Sequence, residues 1–104
     1  MDSDIKALYI VCNAGYADDI MDIVRGAGAR GGTIVNARGT GAQFQSFMGI
    51  TCEYEREIII SVVDKATADK IMTDVKAKVG GNPEIRGICF TSPVEHVIGI
   101  SQAQ

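Results

Sequence analysis

A chain of 104 residues, 46% hydrophobic and 22% charged, has the composition of one globular domain. Three phenylalanines, three tyrosines and no tryptophan leave its core to be assembled mainly from Ile, Val, Ala and Met. A net charge of −3 without a basic cluster excludes a nucleic-acid footprint, and no apolar run reaches the length of a membrane span.

The acidic opening Met1-Asp2-Ser3-Asp4 does not read as a secretory leader. Cys12, Cys52 and Cys89 are odd in number, far apart, and set in or beside apolar stretches. That spacing argues against a disulfide framework or a zinc site and for buried, inert thiols. A cytoplasmic protein is the expectation.

Ile5 to Cys12 form a first strand with little polar interruption, so a central place in a sheet is expected. Asn13-Ala14-Gly15 breaks it. Ile20, Ile23, Val24 and Ala27 then recur at helical spacing, with Asp18, Asp19 and Asp22 in the early turns where the helix dipole favours negative charge. Gly26 and Gly28 end this helix. Gly26 to Gly31 also matches the dinucleotide fingerprint GxGxxG, but here a helix precedes and a strand follows, the reverse of what the fingerprint needs. These glycines are expected to supply a left-handed helix stop and a tight turn.

A second strand runs from Gly32 to Arg38. Beyond it lies a connection too long for a tight hairpin, about residues 39–56, opening on Gly39-Thr40-Gly41 and carrying Phe44, Phe47 and Met48. Loops of this length in a compact domain are usually functional or disordered. A third strand covers about 57–63, and Asp64 is an expected N-cap. Ala68, Ile71, Met72, Val75 and Val79 mark a second amphipathic helix, stopped by Gly80-Gly81. Asn82-Pro83-Glu84 is a turn, and Gly87 to Thr91 a fourth strand. Pro93 interrupts, and Val94 to Ile100 is a last extended piece.

The order β-α-β-loop-β-α-β predicts an α+β domain over residues 1–104. It is the ferredoxin-like βαββαβ plait, a four-stranded antiparallel sheet with two helices on one face. Ile34, Ile58, Ile60, Val62 and Ile88 supply apolar side chains to both faces of that sheet. Helices cover only one face, so oligomerisation is expected.

No Ser/His/Asp set, P-loop or zinc motif occurs, so the reading is a non-enzyme with no catalytic and no metal residues. His96, the lone histidine, has no acid or cysteine cluster beside it and reads as structural or phosphate-neighbouring. Glu53, Glu55 and Glu57 alternate at strand spacing, which points to a solvated face.

Several stretches, taken together, resemble the PII nitrogen-regulatory signal proteins. They are the opening strand and helix, then Gly28-Ala29-Arg30-Gly31-Gly32-Thr33-Ile34, then Arg38-Gly39-Thr40-Gly41-Ala42-Gln43, then the third strand with its capped helix and the ending Val97-Ile98-Gly99-Ile100. The third of these is similar to the family's Lys-Gly-x-Gly-x-Gln entry into a long effector loop, the T-loop. The resemblance implies a homotrimer that binds an adenine nucleotide, ATP, ADP or AMP, in clefts between subunits. It also implies signalling through the loop to a target enzyme, transporter or regulator, in regulation of nitrogen utilisation.

The ligand-binding residues it implies are Thr33, Arg38, Gly39, Thr40, Gly41, Gln43, Val62, Arg86 and Gly87. Gln43 matches a residue that helps hold magnesium and 2-oxoglutarate, and Arg56 falls near a lysine that meets the 2-oxoglutarate carboxylate. Phe44, Phe47 and Met48 are the candidates for contact with a partner protein.

The sequence also departs from the family. Ile88 stands where the family's phosphate-gripping lysine would be, and Gly99 and Ser101 where two arginines would be. A triphosphate needs such charges paired when it leaves water, so a less charged adenine ligand, or another small molecule, suits the pocket better, which weighs against magnesium and 2-oxoglutarate. The loop is also shorter than the family's. The alternative is a CutA-like ferredoxin-fold trimer that binds metal or a small molecule without a nucleotide switch.

Overall fold

The computed structural model of the protein describes residues 4–40, 46–47, 50–51 and 54–99. Strand β1 spans Ile5–Asn13, helix α1 Ala17–Gly26 and strand β2 Thr33–Gly39. Two short strands follow in the loop, β3 at Ser46–Phe47 and β4 at Ile50–Thr51. Strand β5 spans Tyr54–Asp64, helix α2 Lys65–Gly80, a 3-10 turn Pro83–Ile85 and strand β6 Ile88–Pro93.

The main sheet has the order β2-β5-β1-β6, with every neighbouring pair antiparallel. This is the expected ferredoxin-like plait, with β1 and β5 at its centre. Strands β3 and β4 pair separately, Phe47 opposite Ile50, a ribbon that the sequence pattern did not announce. Strand β5 also starts at Tyr54, three residues before the apolar run that marked it.

Strand pleating divides the sheet's side chains between two faces. On one face Leu8, Ile10 and Cys12 of β1 and Ile59 and Val63 of β5 are fully buried. Against them pack Ala17, Ile20, Met21 and Val24 of α1 and Ala68, Ile71 and Val75 of α2. Both helix stripes therefore do what their spacing indicated, with Met21 as an addition. The alternate residues point the other way. Tyr9 lies between Ile60 and Phe90, and Val11 between Ile58 and Ile88. The Tyr9 and Phe90 rings stack, centroids 5.0 Å apart. No helix covers this face, and Val35, Ile88 and Phe90 are 40, 56 and 47% exposed.

The helix ends follow local chemistry. At the end of α1, Gly28 N–H donates to the Arg25 carbonyl and Ala29 N–H to the Val24 carbonyl, both backbone bonds of a Schellman motif. Gly28 takes φ +122°, which a side chain would resist, so the apparent dinucleotide fingerprint is a helix stop. At the start of α2 the Asp64 carboxylate accepts the Thr67 N–H at 2.8 Å, the expected N-cap.

The last expected element is not formed. Pro93 closes β6, and residues 94–99 have no strand. Val94 N–H donates to the Ile5 carbonyl, and Gly99 turns at φ +109°. Proline cannot continue the ladder on its own N–H, and beyond the Val94 bond the described residues 95–99 join no strand.

Candidate functional site

Two concavities lie along the β2–β5 side of the sheet. The first, about 460 Å³, is lined by Arg30, Gly31, Gly32 and Thr33 from the turn into β2 and by Ile60, Ser61 and Val62 of β5. Thr33 pairs directly with Ile60, so both side chains lie on the open sheet face, as does Val62. Its rim is fixed from behind. Ser61, on the buried face, donates its hydroxyl to the Gly31 carbonyl at 2.7 Å. The pocket thus has an apolar floor, a hydroxyl from Thr33 and a cation from Arg30.

The second concavity, about 470 Å³, is lined by Ala14, by Asn36, Ala37 and Arg38 of β2, and by Glu55, Arg56 and Glu57 of β5. It sits at the foot of the long loop, where three consecutive β5 residues each make a long-range hydrogen bond. The Glu55 carbonyl accepts from Ala14 N–H at 3.0 Å. Arg56, only 7% exposed, donates to the Asn13 side-chain oxygen and to the Arg86 carbonyl, both at 3.0 Å. Glu57 accepts from Gly15 N–H at 2.9 Å and Ala17 N–H at 3.2 Å.

Glu57 therefore caps α1, a carboxylate at the positive end of a helix whose own N-cap residue, Tyr16, gives no side-chain bond. This corrects the reading of Glu57 as a solvated charge. Exposed Glu55 fits that reading, and Glu53 lies outside the described residues.

The turn that precedes β6 is tied into the same set. Asn13 donates its amide to the Glu84 carbonyl at 2.7 Å, and Asn82 accepts the Glu84 N–H. Tyr16 donates to the Glu84 carboxylate at 3.2 Å, and that bond raises the pKa of its hydroxyl. Arg86 takes the left-handed conformation, φ 50°, the only non-glycine with positive φ among the described residues. Gly87 is held against α2, where a Cβ would come within 2.7 Å of Val79 Cγ2.

The expected ligand residues are thus dispersed on one chain. Thr33 and Val62 share the first concavity, and Arg38 lines the second. Gly87 lines a third, about 450 Å³, beside α2 with Met72, Val75, Val79 and Cys89. Gly39 ends β2 next to the second, and Thr40 follows it. Gly41, Gln43, Phe44 and Met48 lie outside the described residues, and only the backbone of Phe47 is described, in β3. The sequence reading did not single out Asn13, Ser61 or Glu84. The partners that tie them across the fold are 30 to 71 residues away in the chain, and no local pattern signals those contacts.

Burial raises the thiols of Cys12 and Cys89 to about 11, with the Glu57 charge adding to the shift at Cys12. Both are accordingly protonated and unreactive at neutral pH. Among the described residues, no three Asp, Glu, His or Cys side chains are grouped to share a metal ion. No described helix is long and apolar enough to cross a membrane.

The family model of the nitrogen regulatory protein P-II matches residues 5–104. The chain belongs to the P-II family. Among solved structures, this P-II chain is similar to the GlnK–ATP complex of B. subtilis, with 21% identity and a TM-score of 0.74. That match covers 100% of this chain and 94% of the other. It is also similar to CPII of Thiomonas intermedia K12, a PII-like protein solved with ADP, AMP and bicarbonate. There the identity is 20%, the TM-score 0.71, and the coverage 92% and 96%. At these identities the structures support the P-II fold and not a particular ligand for this chain. A comparison with curated protein sequences returns no match.

Proposed function

We propose that this P-II chain is a signal-transduction regulator that senses an adenine nucleotide in clefts between copies of itself. It reports occupancy through the loop at about 39–56, in regulation of nitrogen utilisation. One observation carries the reading. Thr33, Ile60 and Val62 belong both to the first concavity and to the uncovered apolar face of the sheet. A second copy packed on that face would add a wall to the concavity. An apolar face of this extent on a lone chain marks an interaction surface. The homotrimer expected of a PII-like protein would use it. A further copy would also bring residues such as Arg38, Arg86 and Gly87 of one chain near the pocket of another.

The charges favour a ligand with few phosphates. Ile88, 56% exposed, occupies the position of the gripping lysine. Arg30 lines the first concavity and Arg38 the second, and Arg86 lies in the turn before β6. ADP or AMP places less charge there than ATP. That the B. subtilis GlnK structure holds ATP, and the Thiomonas intermedia one ADP and AMP, supports the adenine class. Arg56 is engaged with Asn13 and Arg86, so we assign it no 2-oxoglutarate carboxylate, and we give magnesium no role. The P-II match over residues 5–104 favours this reading over a CutA-like trimer.

A melting panel with ATP, ADP, AMP, cyclic AMP and 2-oxoglutarate, with and without magnesium, tests the ligand. A nucleotide at about 100 times its dissociation constant stabilises by roughly 2.7 kcal/mol. A shift with ADP or AMP is expected, and no shift with any adenine nucleotide would remove the proposal. Phe44, Phe47 and Met48 are the proposed contacts with the target protein. Equal target recovery by a chain lacking residues 44 to 51 would sink that part.

A further inference from the structure

Arg56 is a cation on β5 whose side chain is almost wholly withdrawn from water. One guanidinium nitrogen reaches Asn13 Oδ1, directly across the β1–β5 pair, and the other reaches the Arg86 carbonyl, both at 3.0 Å. Asn13 uses its remaining amide group on the Glu84 carbonyl at 2.7 Å. Arg56 and Asn13 thus hold two carbonyls of one turn, on either side of Ile85, whose side chain is fully buried in the core.

That turn needs holding. Arg86 sits at φ 50° and ψ 52°, a conformation that costs a non-glycine residue roughly 1 kcal/mol or more. A guanidinium bonded to its carbonyl fixes the orientation of the Arg86–Gly87 peptide. Gly87 meanwhile is pressed so close to Val79 that no side chain fits. The result is a fixed backbone at Arg86 and Gly87.

The other end of the device is the loop. Arg56 is the third residue of β5, immediately after the loop returns to the sheet. Its neighbours Glu55 and Glu57 hold Ala14, Gly15 and Ala17, so residues 55–57 grip both the β1–α1 turn and the turn before β6. A displacement of the loop foot pulls on both turns. Conversely, a turn locked by an anion favours the loop-foot position that keeps Arg56 on the Arg86 carbonyl. Coupling of this kind is reciprocal.

We infer that Arg56 is a positioning residue that sets the Arg86–Gly87 turn for the phosphate of the bound nucleotide and couples that turn to the foot of the effector loop. This rests on the adenine-nucleotide reading above. The fork geometry matters. A lysine at this position keeps the charge but presents a single nitrogen, which does not reproduce the two-pronged contact.

The test uses the full-length protein, Arg56→Lys and Asn13→Ala, each titrated with ADP and with adenosine, which carries no phosphate. In both variants ADP binding should weaken by about tenfold, the loss expected for one charge-assisted hydrogen bond, while adenosine binding stays within about twofold. Without ligand, the backbone amides of residues 84–88 should exchange faster in both variants than in the wild type, with amides of α2 unchanged. Undiminished ADP affinity in both variants overturns the inference and leaves the nucleotide reading standing. So does an equal loss of ADP and adenosine, which would mark Arg56 as merely structural. A wild type that binds no adenine compound overturns the nucleotide reading, and the positioning role falls with it.

Discussion

The two faces of the sheet are built from the same residue types and have opposite fates. Ile59 and its neighbour Ile60 differ by one position on β5. Ile59 is fully buried under the helices, and Ile60 lies on the uncovered face as the floor of a pocket. One face is finished within the chain, and the other is apolar with no helix over it among the described residues. The difference separates residues that make the fold from residues that the proposed assembly and its ligand site would use.

The largest effect should come from breaking the finished face. Ile59→Ala removes a fully buried side chain and should cost about 2–5 kcal/mol in chemical denaturation, at any protein concentration. The contrasting change is Phe90→Glu on the open face. It should leave the isolated chain folded but reduce the light-scattering mass to that of one chain, because a charge on an interface core opposes burial. An unchanged mass for Phe90→Glu would erase the distinction between the faces.

Smaller effects sharpen the comparison at the margins of the sheet. Gly87→Ala places a Cβ within 2.7 Å of Val79 and should destabilise by roughly 1–3 kcal/mol. Gly87→Ala with Val79→Ala should recover part of that loss, which a purely conformational effect at Gly87 would not allow. Asp64→Ala removes the α2 cap and should cost about 1 kcal/mol at neutral pH. Bonds from the Thr67 hydroxyl and then its N–H hold the Asp64 carboxyl below its ordinary 3.8 in the folded chain. Its contribution is therefore complete above about pH 4 and is lost as pH falls through the lowered folded value. The difference in stability between wild type and Asp64→Ala should shrink as pH is lowered below about 4. A difference that stayed constant with pH would remove the carboxylate from the account.

The sequence made the two faces legible before the sites. Alternating Ile58, Ile60 and Val62 declared an apolar second face, and the stripes of α1 and α2 declared what covers the first. Asp64 announced its cap because its partner is three residues away. Glu57 was hidden for the opposite reason. A charged residue in an acidic stretch looks solvated, and only the fold brings the start of α1 to it, as only the β1–β5 register brings Asn13 to Arg56. Tyr54 and Glu55 lack apolar alternation, so the start of β5 was set too late. Val94 to Ile100 read as an extended piece, but its described residues, 94–99, form no strand. Thr33, Val62 and Gly87 were named through family resemblance, since no local pattern of their own marks them.

The central claim is that the nucleotide site is completed between copies, and calorimetric titration of ADP tests it most directly. The wild type should bind ADP saturably, with one site per chain, and Phe90→Glu should bind it at least about tenfold more weakly once dispersed, although Phe90 does not line the Thr33–Val62 pocket. A dispersed single chain that bound ADP with wild-type affinity would contradict the account.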